Sequence, residues 1–167
     1  MPNYNMLAVL VAALLPLIIG FIWYHPKVLG NAWMQAAGLN EEKLKGGKMG
    51  FIFLLCFIFS FLIAFQLQYT VIHQLHYYSI LAGEQEFMDP DSALWKTINE
   101  FMQGYGNRFR TFKHGAFHGF LTALTIILPV IAVTSMFERK SWKLIWINWG
   151  YWAVCFMLMG GVVCAWR

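Results

Sequence analysis

Long apolar runs alternate along this chain with short intervals where nearly all the charge is gathered. A helix needs about 20 predominantly apolar residues to cross the hydrocarbon core of a bilayer. Four windows satisfy that, at about 6–23, 49–69, 115–137 and 143–166, and the second is open to continuation as far as Tyr78. Pro16 and Pro129 fall inside the first and third windows, where a proline removes one backbone hydrogen bond and kinks the helix. The pattern predicts an all-α, integral membrane four-helix bundle formed by a single domain over residues 1–167.

The connections carry a second period. Between spans one and two, Val28, Leu29, Ala32, Trp33 and Ala36 recur at helical spacing, which predicts a short interfacial helix with Trp33 as its anchor. In the second connection Asp89 and Pro90 read as a cap and first-turn pair. Leu94, Ile98, Phe101, Met102 and Tyr105 then mark one face of an amphipathic helix, and Lys96, Asn99, Glu100 and Gln103 the other, up to a break at Gly104 and Gly106. Glu138 to Trp142 is only a tight turn, so spans three and four are expected to be antiparallel neighbours.

Composition sharpens the class. The 167 residues are 59% hydrophobic and 12% charged, against about 25% charged in a soluble domain. The formal net charge of +4 does not point to nucleic acid, because the basic residues flank spans instead of forming a stripe with exposed aromatics. Cys56, Cys155 and Cys164 lie in apolar stretches without metal-ligand spacing and read as small buried hydrophobes. The N-terminal region lacks a signal-peptide cleavage pattern, so the first span is expected to be retained. Loops one and three hold Lys27, Lys43, Lys45, Lys48, Arg139, Lys140 and Lys143, against Lys96, Arg108, Arg110, Lys113 and Arg167 on the other side. That bias, with an uncharged tail from Pro2 to Asn5, favours both termini outside the cytoplasm.

Three stretches carry a resemblance as a set: GFIWYHPKVLGNAW from Gly20 to Trp33, FERKSWKLIWINWGY from Phe137 to Tyr151, and LMGGVVCAW from Leu158 to Trp166. Together they resemble the domain-of-unknown-function family numbered 1761, a family of small bacterial membrane proteins. The resemblance covers both ends and all four spans. It implies a four-helix protein of the bacterial inner membrane, and implies no activity and no catalytic residue. His25 stands where a small polar residue such as serine is expected in many members.

Candidate chemistry gathers at one end of the bundle. Polar residues inside a membrane span are costly and face the bundle interior by default. At about 100° per residue, Gln66, Tyr69, Thr70, His73, Gln74, His76 and Tyr77 share one side of span two and its extension. His114, His118, Thr122 and Thr125 share one side of span three. Loop two joins the two spans, so four of the five histidines meet at one membrane surface. Gly115, Gly119 and Ala123 form a small-residue ridge beside them.

Three readings of this cluster stay open. It is a set of hydrogen-bonding groups between helices; or His73, His76, His114 and His118 hold a divalent transition metal ion or, second, a haem; or histidine serves as acid or base in a small membrane enzyme or a proton or solute pathway. Glu84, Glu86, Asp89 and Asp91 read as solvated capping residues. There is no H-E-x-x-H, G-x-S-x-G or phosphate-loop motif. The tryptophans Trp142, Trp146, Trp149, Trp152 and Trp166, with Trp23, Tyr24 and Trp33, read as interfacial belts, and Asn148 as an interhelical hydrogen bonder. The first expectation for function is a non-enzymatic binding or assembly component. Its partners are the lipid bilayer and a second copy or another membrane protein, because the glycine ridges of spans three and four exceed the needs of one bundle.

Overall fold

The computed structural model describes residues 4–45 and 47–167; Pro2 and Asn3 of the N-terminal tail lie outside them. All regular structure among the described residues is helical. In chain order it comprises α1 (Met6–Trp23), α2 (Asn31–Ala37), α3 (Glu41–Lys45), α4 (Met49–Val71), α5 (Gln74–Leu81), α6 (Ala93–Tyr105), α7 (Phe112–Thr122), α8 (Leu128–Phe137) and α9 (Trp142–Ala165). A π turn, Ala123–Ile127, joins α7 and α8 into one span. Among the described residues four helices are long and apolar enough to cross a membrane: Met6–Trp23, Met49–Val71, Phe112–Phe137 and Trp142–Ala165. The chain is an all-α multi-pass membrane protein.

Each span starts or turns where its local chemistry directs. Asn5 caps α1 by accepting from the Ala8 N–H at 2.9 Å, and Ser141 caps α9 by accepting from Leu144 N–H at 3.3 Å, each satisfying a donor that a helix start leaves open. The π turn lies immediately before Pro129, whose ring cannot donate to the helix ladder. There the Leu128 N–H reaches back to the Ala123 carbonyl, which also accepts the Trp149 indole N–H at 2.9 Å. Pro16 remains inside a continuous α1, and its carbonyl accepts from the Tyr151 hydroxyl at 2.8 Å.

The fourth span is the hub. α9 packs against α1, α4 and α7 and buries Ala153, Cys155, Met159, Val163 and Cys164 completely or nearly so. In lipid, helices associate by close van der Waals packing, so small residues matter more than apolar ones. Gly115 and Gly119 of α7 face Gly160 and Phe156 of α9 so closely that a Cβ on either glycine would collide with the opposing backbone carbonyl. Gly161 is closed over by the Phe112 ring, which a Cβ there would meet at 2.5 Å. The ridges of spans three and four therefore pack against each other. α8 buries nothing.

The two ends of the bundle are tied separately. At one end the Trp23 indole N–H donates to the Ile147 carbonyl at 3.1 Å and the Tyr24 hydroxyl to Asn148 Oδ1 at 3.3 Å, which gives Asn148 an interhelical bond. At the other end Asn5 Nδ2 donates to the Arg167 carbonyl at 3.5 Å, so the start of α1 lies beside the end of α9.

Several local expectations change. Helix α4 does not run on to Tyr78: Ile72 is extended, with φ −108° and ψ 92°, and α5 starts afresh. The buried polar residues of span two are Ser60 and Gln68, 2% and 1% exposed, and the Gln68 amide nitrogen has no partner among the described residues; Gln66 is exposed. Ser92, not Asp89, caps α6, accepting from Trp95 N–H; Asp89 instead accepts from Asp91 N–H at 3.0 Å. Helix α6 passes through Gly104 and ends at Tyr105. In loop one a π turn, Pro26–Gly30, precedes α2. Gly38 closes α2 at φ 67°, a left-handed conformation that suits glycine. Trp33 packs edge-on against Tyr24. Of the tryptophans, Trp142, Trp146 and Trp166 are exposed, whereas Trp149 and Trp152 are half-buried against the bundle. Cys56 is exposed, and only Cys155 and Cys164 are buried.

Candidate metal centre

The end of α4 makes the first half of the site. The extended Ile72 breaks the helix, so His73 stands in the corner between α4 and α5 instead of following the polar stripe along a continuous helix. The second half is α7, capped by the Thr111 hydroxyl accepting from His114 N–H at 3.3 Å. His114 and His118 are four residues apart on α7 and so lie on one face. The close Gly115 and Gly119 contacts to α9 set where that face points.

Three imidazoles meet there. One ring nitrogen each from His73, His114 and His118 lie within 4.8 Å of one another. His73 Nε2 and His114 Nε2 are 2.9 Å apart, a hydrogen-bond distance at which one ring donates and the other accepts, the tautomer deciding which. The ring centroids are 5.0 Å apart for His73 and His114, 5.1 Å for His73 and His118, and 4.5 Å for His114 and His118. Rings packed this closely leave no slot for a porphyrin plane, so the donor set fits a single ion and not a haem. Tetrahedral zinc with Zn–N bonds of about 2.0–2.1 Å needs nitrogens about 3.3 Å apart, a few tenths of an ångström wider than the closest pair. Burial, followed by repulsion from His118 and His76, holds the His73 pKa below its ordinary value, which favours the neutral ligand form.

The linker from α6 to α7 is pinned around this group. The Gln74 amide donates to the Tyr105 carbonyl at 3.0 Å and the Arg108 carbonyl at 2.8 Å. Phe109 adopts φ 64°, a left-handed conformation that costs a bulky L-residue roughly 1–2 kcal/mol. Its ring stacks on His114 at 5.1 Å and 18°, and its carbonyl accepts from the Cys164 thiol at 3.4 Å and the Thr111 N–H at 2.8 Å. The strained residue thus serves as one wall of the histidine group.

Arg110 clamps the same linker to the last turn of α9. Its Nε donates to the Cys164 carbonyl at 2.7 Å and its Nη2 to the Trp166 carbonyl at 2.9 Å. A cation at a helix C-terminus also meets the negative end of the helix dipole. Burial presses the Arg110 pKa down from its usual value, yet a guanidinium stays charged. Arg110→Ala is expected to destabilise the protein by about 1.5–3 kcal/mol, the worth of a charged hydrogen bond, carried mainly by the part-buried bond to the Cys164 carbonyl. A melting temperature in detergent equal to wild type would count against the clamp.

A cavity of about 500 Å³ adjoins the group on its His73 side, walled by Tyr77, Phe101, Tyr105, Phe109 and Arg108. Tyr77 and Phe101 stack at 4.3 Å and 20°, so helices α5 and α6 bring their aromatic faces together at this wall.

Of the four histidines singled out in the sequence, the structure gathers His73, His114 and His118. His76 is exposed and outside the group, because the break at Ile72 turns α5 away from the line of α4. Thr122 and Thr125 spend their hydroxyls on their own helix, donating to His118 and Leu121 carbonyls at 2.8 and 2.7 Å. Glu84, Glu86, Asp89 and Asp91 are exposed and none belongs to the ligand group. Phe109, Arg108 and Arg110 had no signal beyond their charge or apolarity, since their roles arise from a linker conformation.

Comparison with curated proteins gave no match, and comparison with solved structures gave none either. The family model described as a protein of unknown function, DUF1761, matches residues 7–164. That stretch takes in nearly all of the four spans and every histidine of the site, and the chain belongs to the DUF1761 family.

Proposed function

We propose that the protein is a membrane metal-binding protein whose working part is a three-histidine centre at the loop-two end of the bundle. The observation that carries this is the meeting of His73 with His114 and His118: ring nitrogens from two elements about forty residues apart in sequence converge within 4.8 Å. Neutral imidazole suits zinc, copper, iron and nickel. Three protein nitrogens with a further coordination position left open is the donor arrangement of reactive zinc sites rather than closed structural ones. The competing account is a plain hydrogen-bonded pair, His73 with His114, and the 2.9 Å separation suits that too.

Metal uptake separates the two. Protein purified in detergent, stripped with chelator and titrated with Co²⁺ is expected to take up one equivalent per chain and develop the visible absorption of a four-coordinate site, which Zn²⁺ then displaces. No stoichiometric uptake would leave the histidines as a hydrogen-bonded pair and remove the metal reading.

A further inference from the structure

A second cavity, of about 640 Å³, lies in the loop-one half of the bundle between α1, α4 and α9. Phe21, Phe53 and Phe59 form its exposed rim, and Tyr24, Tyr151 and Trp152, all half-buried, form its inner wall. The rim residues belong to membrane-spanning helices, so the open side faces acyl chains. Among the described residues no Lys, Arg, Asp or Glu lines the cavity. An occupant is therefore uncharged, because an unpaired charge at this depth is costly. His25 stands at the mouth, exposed, with its Nδ1 already accepting from Lys27 N–H at 3.2 Å, and asks nothing of a ligand.

The floor holds a polar group that differs from its neighbours. Ser60 lines the cavity at the midpoint of α4 and is only 2% exposed. The hydroxyls of Thr70, Thr122 and Thr125 turn back to the carbonyl four residues earlier, and those of Tyr24 and Tyr151 donate to Asn148 and Pro16. The Ser60 hydroxyl makes no such bond among the described residues. A hydroxyl left without a partner in hydrocarbon is costly. Acyl chains filling the cavity would leave it so, because a phospholipid's own acceptors stay at the headgroups, about 15 Å from the midplane. The volume suits a small organic molecule, and ring walls favour a flat body that can stack or meet them edge-on.

We propose that this cavity takes from the bilayer an uncharged, lipid-soluble ring compound bearing a carbonyl group, its carbonyl oxygen accepting from the Ser60 hydroxyl and its ring against the aromatic wall. The site stands apart from the histidine group, and none of its lining residues belongs to that group.

The test uses the full chain in phospholipid nanodiscs with benzophenone as the probe. Its carbonyl accepts hydrogen bonds and, on irradiation, adds to nearby C–H groups, so adducts mapped by mass spectrometry mark where it sits. Labelling is expected to concentrate on the segments of α1 and α4 around Gly20 and Ser60. 9-Fluorenone is expected to compete at about fivefold lower concentration than fluorene, which has the same rings without the carbonyl, the advantage that one hydrogen bond gives inside a membrane. Ser60→Ala, a change that suits a helix, is expected to erase that difference. Leu17→Trp, which adds bulk to a half-buried wall residue, is expected to abolish labelling of both segments. Equal potency of fluorenone and fluorene on the wild type, a difference that survives in Ser60→Ala, unchanged labelling of Leu17→Trp, or adducts spread evenly over the lipid-facing residues of all four spans would each overturn the proposal.

Discussion

His118→Ala is expected to lower the affinity for Zn²⁺ by two to three orders of magnitude, and His76→Ala to leave it within about twofold. A structural zinc site is worth about 10–16 kcal/mol over four ligands, so one nitrogen supplies about 3–4 kcal/mol, and each 1.4 kcal/mol is a factor of ten. His118 is the ligand to remove first. It shares no hydrogen bond with His73, whereas His114 does, so its loss separates metal binding from the histidine pair. Alanine is well tolerated at a helical position, and the backbone carbonyl of His118 still accepts from Thr122. The measurement is competition with a coloured chelator on purified protein. Equal losses in the His118 and His76 variants would show that the metal, if bound, is held elsewhere.

Gly119→Leu is expected to cost about 3 kcal/mol or more and to detach span three from span four. Overpacking a well-packed contact costs about 1–3 kcal/mol, occasionally more, and the upper end applies because the obstacle is the Phe156 carbonyl and the Met157 nitrogen, which are backbone. A flexible side chain could swing aside; a helix backbone cannot. Gly104→Ala is the control, since nothing lies within 4 Å of a Cβ there, and in α6 the added methyl favours the helix by up to about 1 kcal/mol. Thermal melting in detergent, followed by the fraction that stays monodisperse, is the readout. A Gly119→Leu melting curve superimposed on wild type would mean that α7 and α9 do not pack through these glycines. Because His114 and His118 ride on α7, the same variant is expected to lose metal uptake at the proposed centre.

Span existence and class were legible in the residues alone, because a bilayer demands long apolar helices and the charges marked where they end. The H-x3-H pair of α7 was legible for a similar reason: residues four apart must share a helical face whatever surrounds them. Topology did the rest at coarse level, since a connecting loop brings the end of one span and the start of the next to one surface.

The tertiary structure alone decided the partner of that pair. His73 and His76 look equivalent when span two is drawn as one helix to Tyr78. The extended Ile72 ends it at Val71, leaving His73 in the corner facing α7 and carrying His76 off along α5. Local sequence does not announce that break: no glycine or proline stands at Ile72 or His73. The neighbouring Gln74 amide instead finds two carbonyls of the α6–α7 linker, bonds between residues more than thirty positions apart. The use of the glycine ridges was equally hidden. Sequence shows that small residues permit close approach, but which helix approaches is set by the three-dimensional arrangement. Here the ridges of spans three and four pack into each other. Periodicity reports what each helix can do along its own axis; breaks, linker strain and helix pairing depend on residues far away in the chain, and so are decided only when the helices pack.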